Sequence, residues 1–158
     1  ISVVGSWMSE HYERGNQSST HIRKTPLEPS SIARYARRRN PLNHPTVMFR
    51  KSHVLSSGGY QPCLMFEDYF LWVRMLTQGY RLANMSTILV ETQVDPTYFI
   101  RRGGIAYLRH ELTLLGKFRQ LGFFSRLDST VFVLTRLPMR LIPVSFRKYL
   151  YRSLLRDS

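Results

Sequence analysis

The sequence predicts an α/β fold that ends in a helical C-terminal extension. Extended segments open the chain, an amphipathic helix follows in the middle, and helical periodicity prevails from residue 105 onwards. Of the 158 residues, 43% are hydrophobic and 13% aromatic, which is enough to bury a core in one domain. The chain opens on Ile-Ser-Val-Val-Gly, which is typical of a strand already under way, so we expect the natural protein to begin upstream.

The helix at residues 67–78 is the best-defined predicted element. Its first turn is acidic, as the helix dipole favours, and Gly79 follows as a C-cap. Leu71, Trp72 and Met75 give it an apolar stripe that would pack on a core. The other predicted elements are strands at 1–5, 20–24, 46–51, 80–85 and 88–94, helices at 30–38 and 105–121, and a helical turn at 52–56.

The net charge of +13 attracts anions, among them phosphates, nucleotide sugars, nucleic acid and acidic lipids, without choosing between them. Cys63 is the only cysteine, so neither an internal disulfide nor a paired-cysteine metal site can form. No stretch reaches the roughly 20 apolar residues that a spanning helix needs. The nearest, residues 131–146, is interrupted by arginines and prolines, and we expect it to be buried or interfacial.

The C-terminal tail is basic and apolar. From Lys117 to the end it holds nine Lys or Arg and two Asp. Its apolar residues include Phe123, Phe124 and Phe132, and a helix of this composition can lie on an anionic membrane surface. The composition is equally typical of a helical packing element whose arginines face water, so both interpretations stay open.

An ordered series of motifs in the middle region carries the functional prediction. Residues 39–50 read Arg-Asn-Pro-Leu-Asn-His-Pro-Thr-Val-Met-Phe-Arg, Gly-Gly-Tyr follows at 58–60, and residues 67–74 read Glu-Asp-Tyr-Phe-Leu-Trp-Val-Arg. In this order the motifs resemble the C-terminal half of bacterial family-2 glycosyltransferases of the GT-A type, in particular the capsule and exopolysaccharide branch. We interpret residues 1–115 as the acceptor-side half of that domain and residues 116–158 as a basic amphipathic extension.

The resemblance implies a role for the acidic pair at the start of the central helix. In that family the aspartate matching Asp68 removes the proton from the acceptor hydroxyl in an inverting transfer, and Glu67 would orient the acceptor or a loop. Such a base must lie within hydrogen-bond reach of the attacking oxygen, and a helix N-terminus holds a carboxylate there rigidly. The alternative is that both residues only decorate a helix start, where acidic residues are common.

Four further residues are candidates for substrate binding. Gly58 and Gly59 would let the backbone approach the sugar or the diphosphate, or would form only a tight turn. His44 precedes a predicted strand and would face the donor or acceptor pocket. Trp72 would stack on the acceptor, although its helical spacing favours a place in the core.

Arg101 and Arg102, followed by two glycines, form a second candidate anion site. Two guanidinium groups beside flexible backbone suit a diphosphate, and a solvated basic turn is the alternative. Processive members of the family carry Gln-x-x-Arg-Trp in this region. The tryptophan is absent here, which argues against a processive synthase.

The resemblance also implies partners and a cofactor. The parent enzyme would use a nucleotide-sugar donor and a polyprenyl-diphosphate-linked glycan acceptor, in the cytoplasm at the inner face of the plasma membrane. Family members hold Mg²⁺ or Mn²⁺ with an Asp-x-Asp motif in their first half. No Asp-x-Asp occurs in these 158 residues, so we expect no metal site in this chain and no turnover by the chain alone.

Two non-catalytic functions are the alternatives: a membrane-surface protein driven by the tail, and a nucleic-acid-binding module. The charge and the aromatic content suit nucleic acid. The basic residues are scattered, however, and the sequence holds no zinc finger, basic zipper or RNA-recognition motif, so we expect no nucleic-acid partner.

Overall fold

The computed structural model confirms the mixed α/β class. Four strands form one open sheet around the long strand β1, which pairs antiparallel with β2 and β3 and parallel with β4. The strands are β1 (Val3–Arg14), β2 (Gln17–Arg23), β3 (Met48–Phe49) and β4 (Leu82–Val94). The structure describes residues 1–14, 17–95 and 102–141.

The strands differ from the sequence prediction where pairing with β1 decides their length. β1 continues well beyond the predicted end at residue 5, because β2 and β4 both pair with its second half. The two strands predicted at 80–85 and 88–94 are one continuous strand, because two irregularities in the pairing, between Ser6 and Trp7 and between Trp7 and Met8, take up the extra residues. The strand predicted at 46–51 was largely wrong, since only Met48 and Phe49 pair and a 3₁₀ turn occupies His44–Thr46.

Five helices lie within the described residues. They are α1 (Pro29–Tyr35), α2 (Lys51–Ser56), α3 (Glu67–Thr77), α4 (Gly104–Gln120) and α5 (Arg126–Leu141). The bounds of α3 and α4 each lie within one residue of the prediction. Helix α1 ends earlier than predicted, because residues 36–39 form turns.

Helix α3 separates two apolar clusters. The first cluster joins α3 to β1, β4, α1 and α2, and it consists of Val3, Ile32, Leu42, Val54, Leu71, Trp72, Met75 and Leu82. The second joins α3 to α4 and α5, and it consists of Ala36, Cys63, Phe66, Tyr69, Phe70, Val73, Tyr107, Leu114, Phe118, Phe123, Phe124 and Phe132. Because both clusters bury faces of the same helix, the position of α3 is fixed from two sides.

The α4–α5 hairpin belongs to this core. Helix α4 runs without interruption across residues 115 and 116, the predicted boundary between domain and extension. Phe123, Phe124 and Phe132, which the sequence offered to a membrane surface, pack instead against α3 and α4. A second, exposed stripe of Leu127, Val131 and Leu134 lies on α5. Within the described ranges, no helix has the length and apolarity needed to cross a membrane.

A capping box starts α5. Asp128 Oδ2 accepts hydrogen bonds from the backbone N–H and the hydroxyl of Ser125, at 2.9 and 2.7 Å, and the Asp128 N–H donates back to the hydroxyl at 3.1 Å. Burial alone would raise the pKa of Asp128, but the bonds from Ser125 and the nearby Arg37 guanidinium hold that pKa below its ordinary value of 3.8.

We therefore predict that Asp128→Asn lowers the free energy of unfolding by about 1 kcal/mol at neutral pH, the usual cost of a lost helix cap. Because the folded-state pKa is depressed, this stabilisation is present above about pH 4 and is lost as the pH falls through the folded pKa. Urea denaturation at about pH 7 and about pH 3 measures the difference. The exposed Glu28→Gln is the matched control, and a penalty for Asp128→Asn that stays constant with pH would contradict the prediction.

Candidate functional site

Asp68 lies in the first turn of α3 and is held by two hydrogen bonds. Its Oδ1 accepts the N–H of Tyr69 at 2.7 Å, and its Oδ2 accepts the side-chain amide of Asn40 at 2.7 Å. The N-cap residue, Phe66, makes no side-chain hydrogen bond to the free N–H groups at the start of this helix. Asp68 satisfies one of these groups, the N–H of Tyr69. Asp68 is half-buried and Glu67 is exposed, so the acidic pair is rigid on one side and open to solvent on the other.

Asn40 belongs to the motif at residues 39–50, and the sequence predicted no role for it. It is half-buried, and its side-chain oxygen accepts a hydrogen bond from the N–H of Leu42 at 3.4 Å. Its partner Asp68 is 28 residues away in the chain. The asparagine before Pro41 was the only available signal, and it indicates an extended residue without indicating a partner.

Three aromatic rings lie beside the acidic pair. The ring centroid of His44 is 5.8 Å from that of Tyr60 and 6.2 Å from that of Trp72, and the Tyr60 and Trp72 centroids are 6.5 Å apart. Partial burial raises the pKa of the Tyr60 hydroxyl, and the negative charges of Asp68 and Glu67 raise it further, which places Tyr60 close to both carboxylates.

The three rings differ in exposure, and the difference separates their roles. Trp72 is fully buried, whereas His44 is exposed and Tyr60 is 45% exposed. Trp72 therefore forms the floor of the group, and only the other two rings offer a surface to a ligand. The buried indole N–H of Trp72 has no hydrogen-bond partner among the described residues.

Gly58 and Gly59 form a turn that a buried arginine fastens to α3. Both glycines have a positive φ, of 82° and 61°. The guanidinium of Arg74 donates to the carbonyls of Ser57 and Gly59, and burial lowers the pKa of this arginine. A Cβ on Gly58 would come within 2.8 Å of Gln61, whereas a Cβ on Gly59 would meet nothing within 4 Å. The conformation of the turn and its packing therefore account for the glycines without a ligand. The backbone at Gly59 is also accessible to a ligand.

Arg102 lies two residues before the start of α4, and Arg101 lies outside the described residues. Arg102 is half-buried, and its backbone carbonyl accepts a hydrogen bond of 2.9 Å from Arg140. Burial raises the pKa of Tyr107, and Arg102 is close enough to oppose that rise. The Tyr107 ring packs edge-on against Phe66, the residue before Glu67, at 5.5 Å.

The described residues offer no ligand set for a metal ion. Within these ranges no group of three or more His, Cys, Asp or Glu side chains is arranged to hold one. The hydrogen-bond partners of Asp68 among the described residues are the Asn40 amide and the Tyr69 N–H, both of them neutral. Two shallow clefts elsewhere, one against β1, β2 and β4 and one between α1 and the α4–α5 turn, contain none of the site residues named above.

Three curated relatives match the chain over nearly its whole length. It is 33% identical over 156 residues to UDP-Gal:alpha-D-GlcNAc-diphosphoundecaprenol beta-1,3-galactosyltransferase of Escherichia coli, which covers 99% of this chain and 56% of that protein. It is 33% identical over 154 residues to the amylovoran biosynthesis glycosyltransferase AmsE of Erwinia amylovora, covering 96% and 56%. It is 34% identical over 154 residues to an uncharacterised glycosyltransferase of Haemophilus influenzae, covering 98% and 57%.

No protein-family model matches the chain, and no solved structure is significantly similar to it. The chain spans little more than half the length of the curated relatives. About a third of its residues are identical to theirs almost from end to end. The predicted resemblance to bacterial glycosyltransferases is therefore confirmed, and one of the similar proteins is named for amylovoran biosynthesis.

Proposed function

We propose that the protein containing this chain transfers a sugar from a nucleotide-sugar donor to a lipid-linked glycan, with Asp68 as the base. The observation that carries the proposal is the hydrogen-bonded, half-open carboxylate of Asp68 beside exposed aromatic rings. The name of one relative specifies a UDP-galactose donor and a diphosphoundecaprenol-linked acceptor, which supports these substrate classes. The proposal includes membership of family 2 and the GT-A fold, in line with the motifs.

The proposed transfer is inverting. The acceptor hydroxyl gives its proton to Asp68 as its oxygen forms a bond to the anomeric carbon, and the bond to the nucleotide diphosphate breaks on the opposite face. Each carboxylate oxygen of Asp68 accepts one described hydrogen bond and keeps a lone pair for the acceptor hydroxyl. Asn40 and the N-terminus of α3 prevent the carboxylate from turning away.

The surrounding residues bind and orient the substrates. The exposed rings of His44 and Tyr60 offer apolar faces to the acceptor sugar, and Trp72 supports them from below. Glu67 is exposed next to the base and accepts a hydrogen bond from a second acceptor hydroxyl. The open backbone at Gly59 allows close approach of a sugar, and Arg101 and Arg102 bind a diphosphate.

The resemblance implies a divalent cation, and no group of three or more metal-ligating side chains occurs among the described residues. Mg²⁺ or Mn²⁺ would neutralise the leaving diphosphate when held by an Asp-x-Asp motif elsewhere in the parent protein. The proposal places that protein in the cytoplasm, peripheral to the inner face of the plasma membrane. The exposed stripe of Leu127, Val131 and Leu134 on α5 and the basic tail support contact with anionic lipid.

Replacement of the base tests the proposal most simply. In the full-length protein, Asp68→Asn should lower kcat for transfer by about 10²–10⁴-fold, because the amide keeps the shape but cannot take a proton. Donor binding, measured by calorimetry, should stay unchanged. Glu91→Gln, the same chemical change on an exposed strand residue, is the control, and a normal kcat for Asp68→Asn would sink the assignment.

The aromatic rings give a separate prediction on substrate binding. His44→Ala and Tyr60→Ala should each raise KM for the acceptor by up to about tenfold, which corresponds to the loss of one aromatic contact. The KM for the donor should stay the same, and steady-state kinetics with each substrate varied in turn would show it. A change confined to the donor KM would assign these rings to the other substrate.

A further inference from the structure

A buried carboxylate on α4 joins two arginines of α5. Glu111 is fully buried, and its oxygens accept hydrogen bonds from Arg136 at 2.7 Å and from Arg140 at 2.7 and 2.9 Å. A buried ionic cluster is a poor source of stability, because desolvation of the charges offsets much of their attraction. Stabilisation of the α4–α5 hairpin therefore does not by itself explain why these three charged residues are buried together.

Each arginine uses its remaining N–H groups outside the hairpin. Arg136 donates to the backbone carbonyl of Arg38 at 2.7 Å, and Arg140 donates to the backbone carbonyl of Arg102 at 2.9 Å. A guanidinium is planar and rigid, so one set of N–H groups fixed by Glu111 also fixes the direction of the others. The cluster thus holds two backbone positions that lie 64 residues apart in sequence (102 − 38).

The first of these positions belongs to a segment that leads into Asn40. Residues 36–40 follow the end of α1, and side-chain contacts fasten four of these five residues. The Tyr69 hydroxyl donates to the Ala36 carbonyl at 2.6 Å, and Arg136 donates to the Arg38 carbonyl at 2.7 Å. The Arg37 side chain donates to Asp128 at 2.6 Å, and the Asn40 side chain donates to Asp68 at 2.7 Å. Two of the four come from α5 and two from α3, so the segment bridges the hairpin and the candidate base.

We propose that Glu111 and Arg136 are positioning residues, which fix the 36–40 segment so that Asn40 holds Asp68 in place. The inference rests on the proposed function for its effect on transfer, and on the described contacts for the mechanical connection. Neither residue touches the substrate. A displacement of about 1 Å at a reacting group can lower the rate by about 10²-fold. A shift of the 36–40 segment that moves Asp68 would therefore lower the rate of transfer.

Arg136→Lys in the full-length protein tests the proposal. Lysine keeps the positive charge beside Glu111, but its single ammonium lacks the planar fork that reaches both Glu111 and the Arg38 carbonyl. We expect kcat to fall at least about tenfold, with donor KM unchanged. The rate is normalised to the fraction of protein that binds donor, so that misfolded material is not counted.

A spectroscopic readout follows the connection itself. In protein labelled with ¹⁵N-asparagine, the side-chain amide signals of Asn40 should shift in Arg136→Lys, because the segment that carries Asn40 has lost an anchor. Leu114→Val, an apolar core change on the same hairpin, is the control. It should lower the thermal stability and leave both the Asn40 signals and kcat as they are.

The outcomes separate this inference from the proposed function. Wild-type kcat and unshifted Asn40 signals in Arg136→Lys would overturn the positioning role, while an inactive Asp68→Asn would still support Asp68 as the base. If Asp68→Asn were active, the proposed function would fail, and a shift of the Asn40 signals would still establish the connection. Equal effects of Arg136→Lys and Leu114→Val on both readouts would reduce the cluster to a structural role and overturn the proposal.

Discussion

Helix α3 is buried on every face from Tyr69 to Met75, and the two apolar clusters of the protein meet on its opposite sides. A helix packed in this way has no freedom to rotate or slide without opening one of the clusters. Both functional ends of the helix inherit that rigidity. Asp68 lies in its first turn, beside the exposed rings of His44 and Tyr60, and Arg74 near its end fastens the Gly58-Gly59 turn.

Some of the arginines that give this chain its positive charge lie in its interior. Arg74 and Arg140 are buried and Arg136 is largely so, and each donates to a backbone carbonyl outside the helices. The charge that suggested a membrane or nucleic-acid surface from composition alone thus has, in these three residues, an architectural use. The phosphates of the proposed substrates are suitable anions for the exposed arginines.

Local signals allowed the two main helices to be predicted closely. The acidic first turn, the apolar spacing and Gly79 placed α3 within one residue of its observed bounds. The contacts that organise the site depend on residues far apart in sequence. Asn40 meets Asp68 across 28 residues, and Arg136 meets Arg38 across 98, so neither spacing nor periodicity could indicate them. The extent of β1 and the single strand β4 likewise depend on pairing partners, which a single sequence does not show.

The central claim is that α3 presents Asp68 to the attacking oxygen of the acceptor. The most direct measurement is a crystal structure of the full-length protein with a nucleoside diphosphate and an acceptor glycan bound. The account predicts the acceptor hydroxyl within about 2.6–3.2 Å of an Asp68 oxygen, on the side away from Asn40, with the diphosphate on the opposite face of the sugar position. An acceptor hydroxyl against another carboxylate, with Asp68 still bound only to Asn40 and Tyr69, would contradict the account.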